Sequence, residues 1–299
     1  MKNSTIFRGM TRDGSARIVV IDSTAIVSRA TKLHKSAPTA TAALGRLLTA
    51  ASMIGSLSGE KGDTVTLGIN ADGELGKLLA VADYYGNVKG YVENPSADPE
   101  RKPNGKLDVG GAVGEGYLYL VREKGNGEPH VGTVALKSGE IAEDVAAYFA
   151  ESEQIPTLCA LGVLVNPDGT CLAAGGALIQ LLPFADPATV DAIEKNSDAL
   201  KEISGLVASG MDGFDIASVA LRGIEFDPFD TIEVEYFCDC SHERFLRGIR
   251  TISRDEILRM LSEQEAETGE RTLSVDCRFC GKKYAYTEEE LFKTEADPE

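Results

Sequence analysis

Four cysteines near its C-terminal end constrain this chain more than any other feature of its sequence. They fall in two close pairs, Cys238 and Cys240 in Tyr-Phe-Cys-Asp-Cys-Ser, and Cys277 and Cys280 in Asp-Cys-Arg-Phe-Cys-Gly. Residues 241–276 separate the pairs. Zinc takes four thiolate sulfurs in a tetrahedron, and two short pairs brought together by a folded loop supply them. The second pair has the shape of a zinc knuckle. Val275 leads in on a strand, Gly281 suits a positive-φ turn after the second sulfur, and Tyr284 begins the return strand. The first pair is less usual, because structural zinc sites mostly space their cysteines by roughly two to four residues. One intervening residue still allows chelation, and it also puts two thiols where they can oxidise onto each other. That spacing points to redox chemistry.

At 299 residues and 31.8 kDa the chain is expected to form one large or two modest domains. With 43% hydrophobic residues it can bury a sizeable core despite having no tryptophan. The balance of 30 basic against 47 acidic residues, a formal −17, argues for solubility and against nucleic acid, whose phosphates would be repelled. Residues 231–299 alone carry 10 Lys and Arg against 17 Asp and Glu, which disfavours a nucleic-acid-binding zinc ribbon. No apolar run approaches the ~18 residues of a membrane span, and residues 1–17 hold no continuous apolar stretch of the signal-peptide kind. A cytoplasmic protein is expected. Six cysteines then indicate metal or redox chemistry rather than a disulfide framework.

Upstream of the cysteines the pattern is mixed. Residues 15–22 read as a strand with a β-branched centre. A helix is expected over Thr24–His34, and a second over 38–57, where Leu44, Leu47, Leu48, Ala51 and Ile54 recur at helical spacing behind Pro38. Its Ala and Gly content requires close approach by another element, so it is read as a buried core helix. Short strands follow at 64–70, 78–83, 88–93, 116–121 and 130–135, with Asp72-Gly73 and Gly86-Asn87 as tight-turn signals. The segment 94–114, rich in Pro, Gly, Lys and Asp, reads as an exposed loop. A helix over 140–153 and strands at 158–165 and 170–182 complete an α+β domain, mostly antiparallel sheet with helices packed on it.

Composition shifts at Asp186-Pro187, an N-cap followed by proline. About three short amphipathic helices run from there to Gly223, too short to stand alone in water and in need of a surface to lie on. From about Asp230 the tail is charged, with capping-box spacing at Ser253-Arg-Asp-Glu256 and Thr287-Glu-Glu-Glu290. The expected organisation is an α+β core domain (1–185), a helical linker (186–229) and a small zinc-binding module (230–299). That module has few apolar side chains, so a metal must supply much of its stability.

The chain resembles the redox-regulated bacterial chaperones of the heat shock protein 33 family over nearly its whole length. The resemblance rests on Cys238-Asp-Cys240 with Cys277-Arg-Phe-Cys280, on Ala42-Ala-Leu-Gly-Arg-Leu-Leu-Thr-Ala-Ala51, on Gly86-Asn-Val-Lys-Gly-Tyr91 and on Ala174-Gly-Gly-Ala-Leu-Ile-Gln-Leu-Leu-Pro183. One departure is the 36-residue spacer between the pairs, long for the family, which an extended loop or helix around Glu263–Glu270 is expected to absorb. The resemblance implies an ATP-independent holdase and not an enzyme. Reduced protein would bind one Zn²⁺ through Cys238, Cys240, Cys277 and Cys280 and be inactive and monomeric. Oxidant with unfolding stress would form Cys238–Cys240 and Cys277–Cys280 disulfides, release zinc and unfold tail and linker. The dimerised protein would then hold unfolding clients. The alternative is a constitutive interaction or regulatory protein whose zinc is purely structural.

The remaining candidates read more plainly. Cys159 and Cys171 lie in apolar strands and are taken as ordinary buried cysteines. His242 stands near Cys240 as a spare ligand, with a solvated loop histidine preferred; His34 and His130 are taken as surface or cap residues. Gly175-Gly176 lacks a P-loop lysine and is read as close backbone packing in a sheet rather than a phosphate site. The helix at 38–57 is assigned to core packing in preference to a client surface. The Cys-x-x-Cys has no βαβ frame, which disfavours a thioredoxin-like enzyme. The acidic tail 294–299 is expected to be solvated.

Overall fold

The computed structural model describes residues 3–125 and 127–293, so the expected solvation of the tail at 294–299 lies outside the described residues. The chain divides into two compact units, 1–237 and 238–299.

The first unit contains two five-stranded antiparallel sheets. Sheet one has the order β10 (Phe226–Val234), β1 (Ser4–Thr11), β2 (Ala16–Asp22), β9 (Cys171–Leu181), β8 (Thr157–Val165). Sheet two has the order β5 (Val88–Val92), β4 (Leu78–Asp83), β3 (Thr64–Ala71), β6 (Gly116–Glu123), β7 (His130–Ala135). Helix α1 (Thr24–His34) leads to α2 (Pro38–Gly55), in which every residue but Pro38 and Arg46 is buried. Leu44, Leu47, Leu48, Met53 and Ile54 of α2 share one core with Val19, Ile21 and Leu178 of sheet one and Val65, Leu67 and Leu78 of sheet two. Small residues let α2 come this close. A Cβ on Gly55 would stand 2.6 Å from the Asp83 carbonyl oxygen, and one on Gly45 would stand 2.8 Å from Val27 Cγ1.

Alternation along β1 and β2 sends side chains to both faces of sheet one. Ile6, Val19 and Ile21 join the α2 core, while Phe7, Ile18 and Val20 face the other way. That second face, with Ala177 and Ile179 of β9, is covered by α5 (Pro187–Asn196), a short 3₁₀ turn (Ser197–Leu200), α6 (Ile203–Ala208) and α7 (Gly213–Ala220). Ile193, Leu200, Ile203, Val207, Ile216 and Leu221 are buried there. The surface these short helices need is therefore sheet one of their own unit. Gly175 and Gly176 sit in β9 where a Cβ would approach Ile21 O and Val207 Cγ2 at 2.7 Å or Thr49 Cγ2 at 2.8 Å. They serve close packing, as expected.

Three features depart from the sequence expectation. The loop 94–114 contains a short buried helix, α3 (Val109–Val113), capped by the Asp108 side chain, with Val109, Ala112 and Val113 out of solvent. Its apolar residues are too few, and too mixed with glycine, to stand out from a loop. Strands β1 and β10 were not anticipated. β10 carries Pro228 and the carboxylates Asp227, Asp230 and Glu233, a composition suited to a sheet edge. It pairs antiparallel with β1, and Asp230 forms an ion pair with Arg8 at 2.5 Å. Residues 230–237 thus complete the first unit, and the second begins at Cys238 rather than at 230.

The second unit contains α8 (His242–Ile249), α9 (Arg254–Thr268), the hairpin β11 (Thr272–Asp276) and β12 (Lys283–Thr287), and α10 (Glu288–Phe292). Helix α9 takes up the long spacer and stops at Gly269, whose φ of 79° suits a left-handed cap. Thr287 and Glu290 form the full reciprocal capping box, while Ser253 makes only the forward bond, to Glu256 N. Among the described residues the apolar core of this unit is Ile249, Ile257, Leu261, Leu273, Tyr286 and Leu291. It is thin.

Candidate metal centre

Three local structures bring the four cysteines together. The β11–β12 hairpin closes with Cys277 N donating to Lys282 O (2.8 Å) and Gly281 N donating to Cys277 O (2.8 Å), with Gly281 at φ 69°. This is the expected knuckle turn, and it holds Cys277 and Cys280 on one side. Cys238 and Cys240 arrive on the extended chain before α8, whose N-cap Ser241 accepts from Arg244 N at 3.1 Å. Tyr284, on β12, ties the two halves: its hydroxyl lies 3.0 Å from Cys240 O and 3.1 Å from Cys240 Sγ.

The four sulfurs lie within 4.8 Å of one another, with Cys238 Sγ to Cys277 Sγ at 3.7 Å and Cys240 Sγ to Cys280 Sγ at 3.3 Å. Four sulfurs around zinc at ~2.3 Å stand about 3.8 Å apart by tetrahedral geometry. The donor set fits a thiophilic metal ion. Electrostatics argues the same way. Burial and the neighbouring sulfurs push the Cys238 thiol far up, and burial raises Cys280 as well. At Cys240 burial also works upward, but the Tyr284 hydroxyl and the other three sulfurs outweigh it and bring the thiol down to about 7. Without a cation, Cys240 is readily a thiolate while Cys238 and Cys280 resist becoming one. A divalent ion lets all four ionise together.

His242 is not part of this cluster of sulfurs. Its ring packs against Tyr286 with centroids 4.3 Å apart, and its Nε2 lies 3.7 Å from Glu290. Tyr286 in turn donates to His242 O at 2.9 Å, a contact that ties α8 to β12 and that spacing alone gave no means to find. Cys159 and Cys171 lie in sheet one of the first unit, where burial pushes their thiols up to about 12 and about 11. His130 is exposed, whereas His34 is half-buried beside the Tyr236 hydroxyl at 3.3 Å and its pKa is lowered by burial.

Residues 4–287 match the family model described as Hsp33 protein. The chain belongs to the Hsp33 family. Two Hsp33 relatives, each named 33 kDa chaperonin, are 40% identical to it. That of Acetivibrio thermocellus aligns over 288 residues, 96% of this chain and 95% of its own; that of Clostridioides difficile aligns over 290, 96% and 97%. The crystal structure of 33 kDa chaperonin (heat shock protein 33 homolog) from Thermotoga maritima matches with TM-score 0.86 and 34% identity, covering 97% of each chain. Hsp33 is a chaperone family, and the four-cysteine cluster fits a redox-regulated zinc site. Among the described residues no helix is long and apolar enough to cross a membrane.

Proposed function

We propose that this chain is a redox-gated, ATP-independent holding chaperone of the cytoplasm that turns over no substrate. The observation that carries the reading is the meeting of four thiols in a unit with so little apolar core of its own. When reduced, Cys238, Cys240, Cys277 and Cys280 hold one Zn²⁺, which supplies the charge that keeps four sulfurs ionised side by side. The chain is then monomeric and inactive. A thiolate attacks peroxide, forming a sulfenic acid and releasing hydroxide; a second thiolate displaces hydroxide from that sulfur, and a disulfide remains. Each disulfide oxidises two thiolates and reduces one peroxide, so the two bonds consume four thiolates and two peroxides. The products would be Cys277–Cys280 and Cys238–Cys240, which leave none of the four sulfurs as a thiolate able to hold a metal ion.

With the metal gone, the second unit loses most of its folding free energy. Unfolding passes along the chain from Cys238 into β10 and on to α7 and its neighbours. These helices (the linker, residues 186–229) then uncover the apolar face formed by Phe7, Ile18, Val20, Ala177 and Ile179. That face holds unfolding clients and supports a dimer of the oxidised chain.

The two disulfides are expected to form in order. Two cysteines at i and i+2 in extended chain approach the upper end of the Cα separation a disulfide tolerates, about 6.8 Å, so Cys238–Cys240 requires its segment to unfold first. Peroxide in the cold should stop at Cys277–Cys280, and mild heat should add the second bond. Peptide mapping that finds Cys238–Cys240 first, or cross-pair bonds such as Cys240–Cys280, would overturn this sequence.

Tyr284→Phe tests the site separately. It removes the hydroxyl that reaches Cys240 O and Sγ while keeping the ring. Affinity of the reduced chain for zinc should fall about tenfold, as for loss of an outer hydrogen bond to a ligand. Chelator competition reads the change; unaltered affinity would mean the hydroxyl does not help hold this sulfur.

A further inference from the structure

Strand β8 forms one edge of sheet one, and it is built unlike the opposite edge. Its nine residues, Thr157-Leu-Cys-Ala-Leu-Gly-Val-Leu-Val165, include no charge and no proline, whereas β10 has Pro228 and several carboxylates. Exposed edges are normally blunted by such residues. The register shows which backbone groups are left open. Leu181 N donates to Pro156 O at 3.0 Å, so the even-numbered residues of β8 bond to β9, and Cys159, Leu161 and Val163 turn their N–H and C=O outward. Among the described residues nothing bonds to those outward groups. Both faces of the strand are covered: Leu161 and Val163 pack toward the α2 core, and Leu158, Ala160 and Leu164 toward the α5–α7 side. What remains open is a slot along the edge.

Alongside Leu161–Val165 runs a groove of about 420 Å³, bounded on its far side by residues 101–107. Five cationic side chains line it, Arg46, Arg101, Lys102, Lys106 and Lys201, against the carboxylates Glu140 and Glu202. In a chain of net charge −17 this is a local reversal of sign. Glu140 is already engaged by Arg46 (2.6 Å) and Lys102 (2.5 Å). Arg101 donates to the Gly105 carbonyl, and the exposed Lys106–Glu202 pair at 2.9 Å is of the kind a better partner exchanges easily.

We infer that the edge of β8 from Leu161 to Val165 takes an extended acidic segment of a partner protein as a sixth strand, with carboxylates of that segment meeting Arg101 and Lys106 across the groove. Main-chain hydrogen bonds supply affinity, and the cationic wall selects the charge. A second copy of this chain is the poorer occupant, since β8 carries no carboxylate and isologous pairing would set two cationic grooves against each other. The inference deepens the chaperone reading by naming a class of client segment, but it is tested by peptide binding rather than by aggregation, so each can fail alone.

The experiment uses the full-length chain, reduced with zinc and again oxidised, and a fluorescent ten-residue peptide alternating valine and glutamate. Anisotropy should show binding to one or both forms that weakens as salt rises and is at least tenfold weaker for the lysine counterpart. The same peptide N-methylated along one edge should lose binding, because it cannot pair with a strand. The double variant R101E/K106E, altered only at exposed side chains, should bind the acidic peptide at least tenfold less tightly. Equal binding of acidic and basic peptides, full binding of the N-methylated peptide, or no effect of the double variant would overturn the inference. So would absence of binding to both forms, including the case in which sedimentation shows the edge occupied by a second copy.

Discussion

Stripping the metal from the reduced chain is expected to unfold residues 238–293, to loosen β10 and the α5–α7 cover next, and to leave the α2 core, sheet two and the inner strands of sheet one standing. Among the described residues the second unit rests on six buried apolar side chains and a two-stranded hairpin, and such a hairpin is marginal at best on its own. The remaining stability must come from ligation, which in small zinc modules is on the order of 10 kcal/mol of binding free energy that is also folding free energy. The first unit has a continuous core of its own. Hydrogen exchange with and without a strong chelator should show amides of α8, α9, β11 and β12 losing essentially all protection. Those of β2, β3, β6 and β9 should keep theirs. Persistent protection across 238–293 after complete metal removal would show that the apolar core suffices and that zinc is incidental to the fold.

The second large effect lies in the cover over sheet one. Ile203 is 1% exposed and packs into the cluster that α5–α7 make with β9. In Ile203→Asp a carboxylate at that point is desolvated without a partner, and burying a lone charge costs roughly 3–5 kcal/mol. The short helices have little stability apart from this contact, so they should lift from the sheet while the α2 core stays intact. Reduced, zinc-loaded Ile203→Asp should then bind a hydrophobic dye several-fold more than the parent and suppress client aggregation without oxidant. Ile203→Val, which costs only about 1 kcal/mol, should remain inactive until oxidised. If Ile203→Asp exposes the face, with sheet two still protected from exchange, and clients still aggregate, this face is not where they are held.

Much of this was legible because the relevant residues carry a short-range signal. The helices over Thr24–His34 and Pro38–Gly55 follow from apolar residues at helical spacing and, for the second, from Pro38 at its start, and the knuckle follows from a cysteine pair with a glycine behind it. The fourfold meeting of sulfurs was readable because two short cysteine pairs joined by a folded loop supply the four thiolates that zinc takes. What was missed depends on distant partners. Ser4–Thr11 and Phe226–Val234 are ordinary, partly polar stretches until each supplies the other's hydrogen bonds across more than two hundred residues. Val109–Val113 is a helix because α2 offers it an apolar surface, not because five residues can form one alone. Tyr284 showed only as the start of a strand, and Tyr286 carried no signal; their hydroxyl contacts to Cys240 and His242 exist because the hairpin folds back on the chain after Cys238.

Zinc release and client aggregation should be followed together in one tube, before and after peroxide under mild heat. A chromogenic chelator reports the metal, and light scattering from a heat-unfolded test protein reports the holding. Scattering should fall only once about one zinc per chain has been released, one being the capacity of a four-thiolate site. If the reduced, zinc-loaded chain protects equally well, or if zinc leaves and the client still aggregates, the four cysteines are a structural site and not a switch.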